Sequence, residues 1–354
     1  MITSPITFLY FYTTLSMSFY ILMILLHHAK RYKYCLGLSL IIFFSILTSL
    51  RGLSIGSDSS FYFQLVTNPI DFTQQIEPIM YLIASFTRLL GGKSFVFFLI
   101  ISLIINITLY VAFFKIDGKN YLIYTAFLSV SFLYLNANIN IVRQGIAISF
   151  VFLSIYYLVN FKTYKYLFFS FIAIFVHSSA LVTLLMPLFL FFNTRKRVTY
   201  FVILIMILSL SGLTVTYLIS LVKDVHWTLD RLYWYMTWGK LTPFKLKHVY
   251  FLYIVILLAY ILRYQSLDIL QKRYFSIFLS LFFIMYVFKV DDFLVDRFSF
   301  YYIPLAVFLY FNLIKIYRFK NYQFVLALFT LLPFLWIFKT AYQYNLWWIL
   351  GEIR

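Results

Sequence analysis

The chain of 354 residues is 64% hydrophobic and 23% aromatic, and only 11% of its positions are charged. Apolar runs recur from one end to the other, which excludes a soluble domain held by a single anchor and leaves one polytopic membrane protein. Basic residues outnumber acidic ones by 29 to 11, a formal charge of +18, but the excess falls in short loops between apolar runs, so nucleic acid is excluded as the partner.

A transmembrane barrel is excluded as well, because the runs 94–114 and 198–222 show no period of two. The single cysteine, Cys35, can build neither a disulfide nor a sulfur-ligated metal site within one chain. No metal or other cofactor is implied. The fold class is therefore all-α, with the whole chain 1–354 read as one integral membrane domain.

The first run, 6–26, lacks a basic n-region and a small-residue cleavage site, so it reads as a retained span. Further spans are predicted near 35–50, 95–114, 121–138, 141–160, 165–177, 179–193, 198–222, 248–262, 274–290, 298–314 and 322–338. That makes about twelve. Alternate loops carry the basic clusters, from Lys30, Arg31 and Lys33 to Lys315, Arg318 and Lys320, which marks them as cytoplasmic. Both termini, the segment 51–94, the turn near 136–143, the loop 223–247 and the turn 289–297 then face outward.

The first outward segment opens on Arg51-Gly52-Leu53-Ser54-Ile55-Gly56-Ser57-Asp58, polar and glycine-rich beside the bilayer. Charges there need water, a polar ligand or each other. Asp58 has two readings, a chemical group or a salt bridge that folds the loop onto Arg51. Gly52 and Gly56 would let the loop act as a lid. Glu77-Pro78 introduces the run 79–90, which carries Arg88 and ends at Gly91-Gly92. It is too short to cross about 30 Å of hydrocarbon and is predicted as an interfacial or re-entrant helix.

Asn140 is predicted to cap a helix beginning at Ile141, with Arg143 in its first turn beside the exposed backbone donors and Gln144 next to it. Such an arginine either binds an anion or snorkels to headgroups. His177-Ser178-Ser179 interrupts an apolar run and marks a turn. His177 is either a packed histidine or a group able to take a proton from a sugar hydroxyl. The loop 223–247 sets Arg231 among Trp227, Tyr233, Trp234, Tyr235 and Trp238, either as an aromatic interface belt or as a platform for sugar and phosphate. Asp291, Asp292, Asp296 and Arg297 form the last outward cluster, with Arg297 predicted at the start of the next span. Asp296 beside Arg297 also fits plain charge neutralisation.

Several outward arginines with few compensating acids describe a site for a lipid diphosphate, because planar guanidinium forks bind phosphate oxygens in pairs. No phosphate-binding glycine loop, zinc ligand pair or serine-nucleophile elbow is present in the sequence.

In order and spacing, several motifs resemble the EpsG family, which is grouped with Wzy-type polymerases of O-antigen, capsule and exopolysaccharide. They are Arg51-Gly52 with Gly56-Ser57-Asp58 and Tyr62, Glu77-Pro78, Asn140-Ile141-Val142-Arg143-Gln144 with Ala147, Phe175-Val176-His177-Ser178-Ser179-Ala180, and Arg297 with Tyr301. Ser59 stands where such families commonly carry Thr. The resemblance implies a GT-C-like helical bundle in the bacterial cytoplasmic (inner) membrane. Its outward-facing site would be a metal-independent glycosyltransferase that joins oligosaccharide repeat units carried on undecaprenyl diphosphate, with membrane lipid around it and a chain-length regulator as partner.

On that resemblance Arg51, Arg143 and Arg297 would hold the diphosphate, with Arg231 as a weaker candidate, and His177 or Asp58 would be the base. Tyr62, Glu77, Asn140, Gln144, Ser178 and Asp296 would position substrate. A lipid-linked oligosaccharide flippase, a membrane O-acyltransferase and a polymer ligase are the rival readings. A flippase calls for charges deep in spans and two related halves, which the chain lacks.

Overall fold

A computed structural model describes residues 5–26, 33–56, 58–67, 78–129, 131–210, 248–287 and 292–317. Every regular element among them is helical. Among the described residues three helices are long and apolar enough to cross a membrane: Ser94–Ile116, Val142–Val159 and Ile269–Val287. Shorter apolar helices accompany them, and the predicted 322–338 span, the whole 223–247 loop, Glu77 and Arg231 lie outside the described residues. By Cα packing the chain divides into two compact units, with the boundary between Ala180 and Leu181.

The first unit is built on α1 (Pro5–Leu26), α2 (Lys33–Ser49), α5 (Ser94–Ile116), α8 (Val142–Val159) and α9 (Thr163–Val176). Between them run the short helices α3 (Ser59–Thr67), α4 (Pro78–Leu89), α6 (Tyr121–Ser129) and α7 (Phe132–Ile139). The α8 helix is the hub, packed along α5, α7 and α9 with most of its residues buried. A helix apolar on all sides has no stripe to spare for water, so it lies inside protein or against lipid. On α9 the exposed face is Phe168, Phe171 and Phe175, the stripe expected toward hydrocarbon.

The run 79–90 forms the short helix α4. Pro78 sits at its start, where the missing N–H costs nothing, and at twelve residues it is about 18 Å long. It closes with the Gly91 N–H on Arg88 and the Gly92 N–H on Thr87, both 2.9 Å, with Gly91 at φ 64°. That is a Schellman ending, in which the left-handed residue is glycine because it has no Cβ to clash. Its outer stripe, Leu82, Phe86 and Leu89, is exposed and apolar.

The predicted 121–138 span is two helices. All of α6 is buried, and the chain breaks before Ser131, whose extended backbone (ψ 144°) starts α7 and whose Oγ accepts from the Tyr134 N–H at 3.2 Å. Serine ends one helix and caps the next because its hydroxyl competes for backbone donors. Irregular backbone at membrane depth is tolerated only when protein surrounds it, and α1, α2 and α5 all pack on α6. The predicted 179–193 span is a second departure: it begins as a 3-10 helix, Ser178–Leu185, and ends in the four-residue helix α10 (Met186–Phe189).

The second unit gathers α10, α11 (Arg195–Leu210), α12 (His248–Leu262), α14 (Asp292–Ser299) and α15 (Ile303–Ile316) with α13 (Ile269–Val287). Aromatic rings fill it, with Tyr260 stacked on Phe275 at 4.9 Å and Phe192 against Phe201 at 4.7 Å. Two of its buried tyrosine hydroxyls are satisfied across helices. Tyr260 donates to the Leu309 carbonyl at 3.1 Å, and Ser280 and Tyr302 share a 2.6 Å bond.

Gly145 is what lets α7 fold back on α8, since a Cβ there would collide with the Ala137 carbonyl. Gly145→Val should therefore cost about 1–3 kcal/mol of overpacking or more. The check is a monodisperse peak on detergent gel filtration, which the variant should lose while Gly91→Asn, at an open position, keeps it.

Candidate anion site at the broken helix

An α-helix leaves its last four carbonyls without intrahelical partners. In α7, Asn136 O accepts the N–H groups of Asn140 and Ile141 at 2.9 and 3.1 Å. Asn138 O is satisfied differently: Arg51 Nη1 donates to it. A cation at this end also suits the negative pole of the helix dipole. The guanidinium carbon of Arg51 lies 3.8 Å from the centroid of the Phe98 ring, so the fork is fixed on one face by an aromatic of α5.

The turn after Arg51 is tight. Ile55 N–H bonds Gly52 O at 3.1 Å, Ser59 N–H bonds Gly56 O at 3.2 Å, and Ser59 Oγ donates to Ile55 O at 2.6 Å. Gly56 adopts φ 93°, and a Cβ there would stand 2.7 Å from both the carbonyl oxygen and Cγ2 of Ile139. The segment after Arg51 is thus seated on the end of α7, joining two motifs about 87 positions apart in sequence. Only glycine permits both the left-handed backbone and the close approach.

Behind this end stands a ladder of buried polar groups. Thr48 Oγ1 donates to Ser102 Oγ at 2.8 Å and Asn106 Nδ2 to Ser45 Oγ at 2.7 Å. Tyr134 OH donates to Asn106 Oδ1, and Asn138 Nδ2 to Tyr134 O at 2.9 Å. The bonds tie α2, α5 and α7 together below Arg51. Sequence reasoning assigned nothing to Asn106, Tyr134 or Asn138. The available signal was Asn106, an amide inside the apolar run 94–114, where a polar residue needs a partner.

Arg51 is only 1% exposed, and among the described residues its Nε and Nη2 have no hydrogen-bond partner. Burial pushes its pKa down to about 9, against the opposing fields of Tyr62 and Asp58. Asp58 is therefore near enough for its charge to be felt, while the Nη1 donor of Arg51 goes to the Asn138 carbonyl. Asp58 precedes α3, its carbonyl accepting from the Tyr62 N–H at 3.0 Å, with its carboxyl half-buried at the positive end of that helix. The Tyr62 ring is buried against Phe97, centroids 5.7 Å apart.

Arg143 lies in the first turn of α8 as predicted, half-buried, with Gln144 buried beside it. Asn140 does not cap that helix. The cap position is Ile141, and Asn140 closes α7, its Nδ2 donating to Asn136 Oδ1 at 2.9 Å. The extra residue in the turn displaces it. His177 ends α9 in extended conformation, its N–H on Ala173 O and its carbonyl accepting from Ala180 N–H, both 2.9 Å, and it is half-buried beside exposed Ser178.

The helices α8 and α9 form an antiparallel hairpin, turned by Phe161 at φ 55°. His177 therefore lies at the Arg143 end, and α9, with 14 residues against 18, stops about 6 Å short of the α8 start. Arg51, Asp58, Tyr62, Asn140, Arg143, Gln144 and His177 share one end of the first unit. Arg297 and Asp296 belong to the second unit and to α14, where Arg297 occupies the last turn. A 3-10 turn, Phe300–Tyr302, carries α14 without a break into α15, so Arg297 lies near the start of one helical run over 292–316.

A family model described as the EpsG family matches residues 34–349. No curated protein and no solved structure matches the chain.

A buried guanidinium with unspent donors destabilises its own fold. Breaking the bond to Asn138 costs about 1–3 kcal/mol, while removing an uncompensated buried charge returns several. Arg51→Met should therefore raise the thermal midpoint in detergent by about 2–4 °C at neutral pH. Because burial lowers the folded-state pKa, the charge and its penalty are fully present at neutral pH and are relieved as the pH rises through about 9. The gap between variant and wild type should narrow above that pH. A midpoint that falls by several degrees would make Arg51 a structural cap.

Proposed function

The chain belongs to the EpsG family, and from that premise we propose that it is a polysaccharide polymerase of the bacterial cytoplasmic membrane. It joins oligosaccharide repeat units carried on undecaprenyl diphosphate, at an outward-facing site, in the synthesis of O-antigen, capsule or exopolysaccharide. The observation that carries this reading is Arg51: a buried guanidinium whose Nε and Nη2 have no hydrogen-bond partner among the described residues, held at the same end of the first unit as Arg143. Donors aimed in advance at a developing anion act most strongly where water is excluded.

In the proposed reaction a hydroxyl oxygen of the acceptor sugar attacks the anomeric carbon of the donor. The bond from that carbon to the diphosphate oxygen breaks, its electron pair leaves with undecaprenyl diphosphate, and the hydroxyl proton passes to a base. Arg51 and Arg143 neutralise the leaving group, with Arg297 and Arg231 as further candidates from the second half of the chain. His177 and Asp58 are the alternative bases, both half-buried at the Arg51 end. Tyr62, Gln144, Asn140 and Ser178 border them and serve acceptor binding, and Glu77 and Asp296 join them as positioning candidates.

The test is the surface polysaccharide ladder of a deletion strain complemented with variants at equal membrane levels. Arg51→Lys should shorten or abolish the ladder, with at least about a tenfold loss of polymer, because an ammonium cannot form the planar fork. Single repeat units should still reach the surface. Of His177→Gln and Asp58→Asn, the one that abolishes the ladder identifies the base. A ladder that persists in Arg51→Ala and Arg143→Ala, or a loss of all surface units, would instead favour an acyltransferase or a flippase.

A further inference from the structure

We propose that the turn joining α8 to α9 is the surface site of one anionic phospholipid. Its phosphate meets Lys115, Lys162 and Lys165, and its acyl chains lie down the phenylalanine face of α9. The site stands at the opposite end of α8 from Arg143 and goes beyond the polymerase reading.

The backbone of the turn is strained. The Lys162 N–H bonds the Tyr157 carbonyl at 2.9 Å and the Phe161 N–H bonds the Leu158 carbonyl at 3.0 Å, the two bonds of a Schellman ending. Phe161 takes the left-handed position of that motif at φ 55°, and among the described residues it is the one non-glycine residue with positive φ. The same position after α4 is held by Gly91 at φ 64°. A side chain there crowds its own backbone, which glycine avoids. Phe161 is also 63% exposed, so packing inside the protein returns little of that cost. Strain kept for an exposed ring is explained by a contact outside the fold.

Charge gathers beside that ring. The Nζ atoms of Lys115, from α5, and Lys165, from α9, lie 5.9 and 5.7 Å from the centroid of Tyr157, and Lys115 lies 5.8 Å from that of Tyr156. Such contacts steady the lysine stems and leave their N–H donors for a ligand. Lys162 is exposed next to Phe161. The nearby acid, Asp117, is engaged at the start of α6, where its carboxylate accepts from Asn120 Nδ2 at 2.8 Å, Tyr124 OH at 2.6 Å and the Lys119 N–H at 3.1 Å.

Below the lysines the surface turns apolar. Tyr164, 91% exposed, begins a stripe that continues through Phe168, Phe171 and Phe175 at helical spacing. It runs about 17 Å, close to one leaflet of a bilayer whose hydrocarbon is about 30 Å thick. Lysine, interfacial aromatic and apolar shaft thus follow the order of phosphate, glycerol and chains in a diacyl lipid. A soluble anion would use only the lysines, and a zwitterionic lipid carries an ammonium that they repel. The charge pattern also assigns this end to the cytoplasmic leaflet, where anionic lipids attract lysine.

The test titrates the full chain in dodecylmaltoside micelles with dioleoyl phosphatidylglycerol, dioleoyl phosphatidylcholine or inorganic phosphate, and reads bound lipid by native mass spectrometry. Wild type should bind phosphatidylglycerol at least about tenfold more tightly than phosphatidylcholine, and inorganic phosphate should not displace it. Lys162→Gln and Lys165→Gln should each weaken phosphatidylglycerol about fivefold, the equivalent of about 1 kcal/mol per lysine near an anionic surface. Phosphatidylcholine should stay within about twofold. Lys272→Gln, a lysine over the Tyr264 ring in the second unit, should change neither. Phe161→Gly should weaken both lipids while raising the thermal midpoint of the lipid-free protein by about 2 °C.

Equal affinity for the two lipids, displacement by inorganic phosphate, or a loss in Lys272→Gln as large as in Lys165→Gln overturns the proposal, since each means a general attraction of a basic chain for anions. A Phe161→Gly protein with a raised midpoint and unchanged lipid binding also overturns it, leaving Phe161 as a turn residue. The lipid series on unaltered protein decides the matter even if a variant misfolds.

Discussion

The hydrogen bond from Arg51 to the Asn138 carbonyl organises the first unit. It closes the end of a helix only eight residues long, seats the segment after Arg51 on that end, and takes a full charge out of water. Each consequence needs the others. A short helix cannot hold its own last carbonyls, the segment would have no fixed place without an anchor, and the charge would not be buried without both.

That arrangement is bought with stability supplied elsewhere. The polar ladder from Ser45 and Ser102 through Asn106 and Tyr134 pins α7 against α2 and α5, and aromatic packing around α8 supplies the apolar burial. Interhelical hydrogen bonds in a membrane contribute modestly one by one, so position more than strength is what the ladder provides. A rigid base with unsatisfied donors at one end is the pattern expected of a site. The left-handed Gly56, the extended His177 and the helix break before Ser131 all occur in this unit.

Much of this was legible residue by residue. Basic loops, apolar runs and the Pro78 to Gly92 punctuation marked helices whose ends agree with the structure within a few positions, because a lone glycine or proline acts locally. The family resemblance rested on short motifs, and the match over residues 34–349 bears it out. The errors share a cause. The run 121–138 is apolar on both sides of Val130 and Ser131, so hydropathy could not register a break that burial by neighbouring helices permits. Asn140 missed its cap because turn length is set by packing and not by composition.

By itself the sequence determined the class, a basic, helical membrane chain of one family, and the residue types of its polar motifs, since these follow from composition, local punctuation and order. Only the tertiary structure decided which motifs meet. Arg51 finds Asn138 through a bond between residues 87 apart, and Asn106 and Tyr134 acquire a purpose only as the ladder beneath them. No periodicity encodes such a pairing, because it depends on how closely two backbones pack, and that is decided by the missing Cβ atoms of Gly56 and Gly145.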